Sequence, residues 1–184
     1  MSIQIYILGI LAEEKSYPYM LKKRLSEPIP IDKFTGITES KLYYHFDKLA
    51  ANGFIEPVET IKEENRPDKH VYQITEKGRT ELIERVYQTF EKASHITDMY
   101  IALTNIKHVE SEKVIEILER KMEEHRLAWE TYSSFDQPID VDPDRYMGYT
   151  FMKEHSYSRA EHTAEWLQEL VSRLKENAKG HSPN

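Results

Sequence analysis

The stretch that decides the fold is TESKLYYHFDKLAANG, Thr38 to Gly53. Thr38 belongs to the residue types that cap a helix N-terminus, and Asn52-Gly53 to those that stop one. The residues between them show two faces. Leu42, Phe46, Leu49 and Ala50 fall at i, i+4, i+7 and i+8 and predict a buried stripe. Lys41, Tyr44, His45 and Lys48 fall at i, i+3, i+4 and i+7 and predict a basic, hydrogen-bonding face.

On the C-terminal side, Phe54 to Lys62 has strand character through Ile55, Val58 and Ile61. Glu63 to Asp68 reads as a polar turn, and Lys69 to Thr75 as a second strand with Val71, Tyr72 and Ile74. Together they predict a β-hairpin with a mobile tip. On the N-terminal side, Ile3, Tyr6, Ile7, Ile10 and Leu11 recur as one buried helix face would. Ser16 is placed to cap a second helix, Tyr17 to Leu25, with Pro18 near its start. Pro28 and Pro30 predict an extended connection after it. Three helices followed by a hairpin is the order of a winged helix-turn-helix. A helix of this diameter fits the DNA major groove, and a basic hairpin reaches the adjacent backbone. Lys62, Arg66, Lys69 and His70 would then belong to the wing. The competing reading is that Lys41 and Lys48 form a solvated face, diluted by Glu39 and Asp47.

The whole chain has 184 residues, 39% hydrophobic and 31% charged, enough to bury a core in one or two small domains. Net charge is −7, spread unevenly. The first 88 residues hold 13 Lys/Arg against 14 Asp/Glu, and the remainder 12 against 18. A general nucleic-acid coat is excluded, so any DNA binding works through local contacts. No apolar run reaches the ~18–20 residues of a membrane span. Ile3 to Ala12, broken by Gln4 and followed by acids, is not expected to be a signal peptide. The absence of cysteine removes disulfides and thiol chemistry and fits a cytoplasmic protein.

The second half predicts long helices. Thr75 can cap one that runs from Glu76–Arg79 into the region of Phe90. Ser111 can cap another of roughly 24 residues, on which Ile115, Leu118, Met122, His125, Trp129 and Tyr132 alternate at spacings of three and four. Asp136 to Pro143 reads as a loop. A last helix from about Asp144 toward Ala178 carries Ala160, Ala164, Leu167, Val171, Leu174 and Ala178 at the same alternation, the seam of a helix packed lengthwise on another. The tail from Gly180 to Asn184 is expected to fray. The predicted architecture is mostly α with a small β-hairpin: a winged helix over residues 1–88 and an α-helical domain over 89–184.

Short motifs in this order carry a family resemblance. They are Ile7-Leu8-Gly9-Ile10-Leu11, Tyr19-Met20-Leu21-Lys22-Lys23-Arg24-Leu25, Leu42-Tyr43 with Leu49, and Gly53-Phe54-Ile55. Arg66-Pro67, Lys69, Tyr72 and Thr75-Glu76-Lys77-Gly78 follow. Together they resemble the PadR family of transcriptional regulators. Trp166-Leu167-Gln168-Glu169-Leu170, after Arg159-Ala160-Glu161, is similar to the last helix of its longer subfamily. The resemblance implies a homodimeric repressor with a helical dimerisation domain, released from DNA by a small aromatic or lipophilic compound. Tyr43 stands at the family's recognition-helix tyrosine, and Arg66 and Lys69 at basic wing positions. Pro18, Ser40-Lys41, Tyr44 and Asn65 depart from the family pattern, which bears on operator sequence rather than on fold.

The expected DNA-facing set is Thr38, Lys41, Tyr43, Tyr44, His45, Lys48, Arg66 and Lys69, reading an operator of two half-sites as a homodimer. The expected ligand-facing set is His125, Arg126, Trp129 and Tyr132 with Tyr149 and His155, the aromatics stacking on a flat ring and Arg126 or a histidine meeting its carboxylate or hydroxyl. Plain helix–helix packing is the rival account of these aromatics. No metal site is expected from the eight histidines, since His155 and His162, seven apart, are too few. No cofactor is expected, and no phosphate loop or nucleophile motif points to an enzyme. The alternative function is a dimeric helical module whose winged helix binds a protein.

Overall fold

The architecture comes from a computed structural model, which describes residues 2–26, 38–62, 69–134 and 143–180. The elements in chain order are α1 (Ser2–Glu13), α2 (Pro18–Ser26), α3 (Glu39–Ala51), β1 (Ile55–Ile61), β2 (Lys69–Ile74) and α4 (Glu76–Lys92). A 3₁₀ turn (Ile96–Met99), the short α5 (Tyr100–Leu103) and a second 3₁₀ turn (Ile106–His108) follow. Two long helices, α6 (Ser111–Ser134) and α7 (Pro143–Gly180), complete the chain. The Pro28–Pro30 connection, the Glu63–Asp68 turn and most of the Asp136–Pro143 loop lie outside the described residues, as do residues 181–184.

The chain forms two compact units, Met1–Glu110 and Ser111–Asn184. The 88/89 position lies inside α4, which runs on to Lys92 and buries Phe90.

In the first unit α1 is buried on nearly every side. Ile5, Ile7, Leu8 and Leu11 are enclosed, and so are Tyr6 and Gln4. Periodicity predicted a single buried face. The helix instead touches α3, α4, α5 and β2, so neighbours cover the sides that an amphipathic pattern would leave to water. Its polar groups are paired. The Tyr6 hydroxyl donates to the Leu21 carbonyl at 2.7 Å, and Arg85 donates to Gln4 at 2.6 Å. Gly9 permits the approach of the buried Asn105, whose side-chain oxygen lies 1.8 Å from where a Cβ would stand.

Pro18 opens α2 as expected, but Ser16 does not cap it. Ser16 exchanges two backbone hydrogen bonds with Tyr72, at 3.0 and 2.8 Å, and so adds a one-residue bridge to the outer edge of β2. The two-stranded sheet is antiparallel, with Ile55 opposite Ile74 and Ile61 opposite Lys69. A bulge between Pro57 and Glu59 absorbs the proline and turns Val58 to the surface. Only Ile55 of the three expected strand apolars is therefore fully buried.

In the second unit α6 and α7 pack along the expected seam. Ile115, Leu118, Leu167, Val171 and Leu174 are buried, and Lys175 pairs with Glu119 across it at 2.6 Å. Farther along, Met122, His125 and Trp129 are only half-buried and Ala164 is exposed, so the seam opens into a groove. The first turns of α7 expose Tyr146, Met147, Phe151 and Met152.

Candidate nucleic-acid interface and ligand groove

The reading face is built by α3. Thr38 caps it, its Oγ1 accepting from the Lys41 amide at 3.5 Å. The C-terminal end is closed by Asn52, whose side-chain amide donates to the Lys48 carbonyl at 2.7 Å, and by Gly53 at φ +69°. Leu42, Phe46 and Leu49 are buried, and Phe46 meets Tyr72 of β2 edge to face at 5.4 Å. That contact fixes the helix to the hairpin base. Lys41, Tyr43, Tyr44 and Lys48 stand in solvent, Tyr44 being 61% exposed. Lys41, Tyr44 and Lys48 thus share one accessible surface, with Tyr43 exposed on the other flank of the buried stripe, whereas the hydroxyl oxygen of Thr38 is engaged by the cap.

His45 sits half-buried between these faces, its ring edge to face with Tyr44 at 5.1 Å. Its Nδ1 is shielded and has no hydrogen-bond partner among the described residues. Burial, reinforced by the positive charges of Lys48 and Arg85, holds its pKa below the usual imidazole value. His45 therefore presents a neutral ring at neutral pH and adds no charge to the face.

The joint behind the helix explains Thr75-Glu76-Lys77-Gly78. The Thr75 hydroxyl donates to the Gly53 carbonyl at 2.8 Å, with the Phe54 carbonyl at 3.1 Å, and accepts from the Gly78 amide. Lys77 donates to the Asn52 carbonyl at 2.9 Å and lies over the Phe54 ring. Gly78 is buried where a Cβ would fall 2.0 Å from the Phe54 carbonyl oxygen. One tetrapeptide thus locks the end of α3, the start of β1 and the start of α4 together.

On the hairpin, Lys69 opens β2 with its Nζ 5.7 Å from the Tyr17 ring centroid. His70 Nδ1 and Thr60 Oγ1 are 3.1 Å apart across the strands. Arg66 lies outside the described residues. Tyr19 of α2, 56% exposed, is an accessible tyrosine that the expected set leaves out. Tyr19 stands two residues before Leu21, about 200° around the helix from the buried Leu21/Leu25 face, and that phase is the signal for it.

The groove of the second unit has a volume of about 670 Å³ and is lined by residues of α6 and α7 alone. His125, Arg126 and Trp129 line it as expected. The Tyr132 side chain lies outside what is described, and Tyr149 and His155 are exposed and do not line the groove. The α7 residue that meets Trp129 is Tyr157, edge to face at 4.3 Å. It lies three residues before Ala160, so extending the α7 seam one step would have found it. His155, two residues away, points about 200° around the helix and stacks on Phe151 instead.

Arg126 is held by acids of its own helix. It donates from Nε and Nη2 to the two oxygens of Glu123, at 2.8 and 2.6 Å, and from Nη1 to Glu130. These acids sit three before and four after it on the same helix, the spacing at which side chains meet. The pairing holds the Glu123 carboxyl below its usual pKa and raises that of Arg126. A ligand carboxylate at Arg126 would compete with these two acids.

Among the described residues no group of three or more His, Asp or Glu could hold a metal ion, and no helix is long and apolar enough to cross a membrane.

Residues 7–84 match the model of the transcriptional regulator PadR-like family. No curated protein matches the chain. Among solved structures, Bacillus subtilis PadR in complex with operator DNA is similar at 16% identity, covering 95% of this chain and 99% of that one, with a TM-score of 0.45. The same protein in complex with p-coumaric acid gives 16%, 95% and 96%, with a TM-score of 0.40. The protein smu.1604c from Streptococcus mutans UA159 gives 18% identity, 96% and 98% coverage and a TM-score of 0.42. The likeness to these structures is loose. The winged helix is carried by the order of the elements and by the family match.

Proposed function

We propose that this PadR-like transcriptional regulator, identified as one through residues 7–84, is a cytoplasmic homodimeric repressor that leaves its operator when a small aromatic or lipophilic ligand enters the α6/α7 groove. The family is one of transcription regulators and not of enzymes. In this reading residues 1–88 bind DNA and residues 89–184 serve dimerisation and effector response. The observation that carries it is the two-sided α3. Lys41, Tyr44 and Lys48 are accessible together because Leu42, Phe46 and Leu49 anchor the other side, and Tyr43 is exposed on the flank between. Lys69, His70 and the hairpin tip with Arg66 would add phosphate contacts. The exposed Tyr146, Met147, Phe151 and Met152 on α7 supply the apolar surface that two-fold pairing would cover. A two-fold dimer sets its reading helices about one DNA turn apart, ~34 Å, or a multiple of it.

Salt-dependent binding of the full chain to its own promoter DNA tests the reading. Affinity should fall steeply with salt, and Lys48→Ala should lower the salt slope by about one if it meets a phosphate. Arg66→Ala should weaken binding as well. A chain ending after Glu110 should be monomeric and bind poorly. Parental binding by both variants would remove the assigned site. Salt-independent association would favour a protein partner for the winged helix, and a truncated chain that remains dimeric would move the dimer contacts out of the second unit.

A further inference from the structure

The groove is aromatic, and its charge is the opposite of what an acidic ligand needs. Its wall is the Trp129–Tyr157 pair. Around that wall stand three carboxylates, Glu119, Glu123 and Glu161, against one guanidinium, Arg126. Arg126 is already bound by Glu123 and Glu130, and Glu119 by Lys175. Glu161 is exposed and has no ion-pair partner among the described residues. A ligand carboxylate would have to displace a two-armed pair and then sit beside an uncompensated like charge. A cation meets neither of these two obstacles, although it must displace or share the ring with Lys153. The Tyr157 ring already accepts one from its own helix, Lys153 Nζ lying 5.8 Å from the ring centroid, which leaves the Trp129 ring for the ligand. The volume of about 670 Å³ falls within the range of sites for drug-sized ligands.

We infer that the groove selects its occupant by charge: it takes flat aromatic cations and rejects aromatic carboxylates of the same ring size. The inference rests on the groove being the effector site proposed above. Two three-ring planar probes of opposite charge, proflavine and 9-anthracenecarboxylate, test it by calorimetric titration of the full-length chain. Proflavine should bind about ten-fold more tightly. Glu161→Gln should weaken proflavine about two- to five-fold and leave the carboxylate weak. Glu123→Gln should also weaken proflavine but strengthen the carboxylate, because it weakens the hold on Arg126 Nε and Nη2 and leaves only Glu130 as a charged partner. Trp129→Ala should weaken proflavine as well, which separates the groove from diffuse attraction to a chain of net charge −7. Thermal melts confirm that these exposed variants fold.

Equal binding of the two probes, or tighter binding of the carboxylate through Trp129, would overturn the charge selection while leaving the groove as an effector site. Proflavine binding that is unchanged in Trp129→Ala would place the cation elsewhere and overturn it too. If neither probe binds, and Trp129 is shielded from a soluble quencher by a second copy of the chain, the effector reading falls and the inference with it.

Discussion

In residues 1–110 one helix, α1, is enclosed by three other helices and a strand, and even its glutamine and tyrosine are paired inside. In residues 111–180 two helices bury a single seam and leave Tyr146, Met147, Phe151, Met152 and half of Trp166 in solvent. Each enclosed Leu, Ile or Phe contributes about 1.5–3 kcal/mol relative to exposure. The first unit therefore has the means to hold a rigid reading surface by itself. The second carries apolar area that stabilises nothing within one chain, which suits assembly and ligand capture.

The sharpest test of that contrast exchanges equal side chains. Phe90→Ala empties a fully buried position in the first unit and should cost about 3–5 kcal/mol in urea unfolding. Phe151→Ala removes a ring that is 65% exposed and should change the unfolding of a dilute sample by less than ~0.5 kcal/mol. Similar costs for both would mean that the second unit folds against itself far more tightly than its exposure indicates.

Next in size is Gly78→Ala. The added methyl would overlap the Phe54 carbonyl, a backbone atom that can move only if the joint between α3 and the hairpin opens. Overpacking of this kind costs about 1–3 kcal/mol. Promoter binding should weaken by more than the lost stability accounts for, because the same joint orients α3. Unchanged DNA affinity in a stably folded Gly78→Ala chain would separate the joint from the reading surface.

Thr75→Ala should cost about 1–2 kcal/mol, since it removes a cap together with the bond to the Gly53 carbonyl. Thr38→Ala should cost about 0.5 kcal/mol, because its single capping contact is long at 3.5 Å. Circular dichroism melts of the two variants give the order, and a larger loss at Thr38 would contradict the assigned cap geometry.

The sequence made legible whatever repeats locally. The two faces of α3, its caps, the Thr75 cap, the span of α6 and the α7 seam all follow from spacings shorter than two helical turns. Features set by distant partners were not legible. Ser16 reads as a helix cap until Tyr72 arrives from the sheet, and α1 reads as one-faced until its other neighbours are known. Val58 reads as a core residue because a bulge leaves no mark in alternation. At the groove, Trp129 was found because its helix carries a regular seam. Tyr149 and His155 suit a ligand by side-chain chemistry, but the phase of α7 favours Tyr157. Arg126 was read toward a ligand when its own helix already supplied two acids.

The smallest expected effect is the one that titrates the two units apart. In the first unit His45 and His108 are both held below the usual imidazole pKa of 6.5, chiefly by burial. Neighbouring positive charges add to this, although Glu13 partly opposes it at His108. As pH falls through about 6.5 the unfolded chain takes up protons that the folded unit refuses, so the unit loses stability on acidification from that point. In the second unit the shifts are at Glu123, held below 4.5 by its bonds from Arg126, and at Arg126, which stays charged throughout this range. The Glu123 contribution is present above about 4.5 and lost only as pH falls further. Between pH 7 and 5, hydrogen-exchange protection factors, with the intrinsic pH dependence of exchange divided out, should therefore fall in α1, α3 and α4 while the amides along the buried seam of α6 and α7 keep theirs. A chain with His45→Gln and His108→Gln should show a flatter response in the first unit over the same range. Tryptophan emission is a poor substitute, because both tryptophans lie in the second unit. If the seam amides lose protection first, or the double variant responds to acid like the parent, the two units do not titrate apart through these groups.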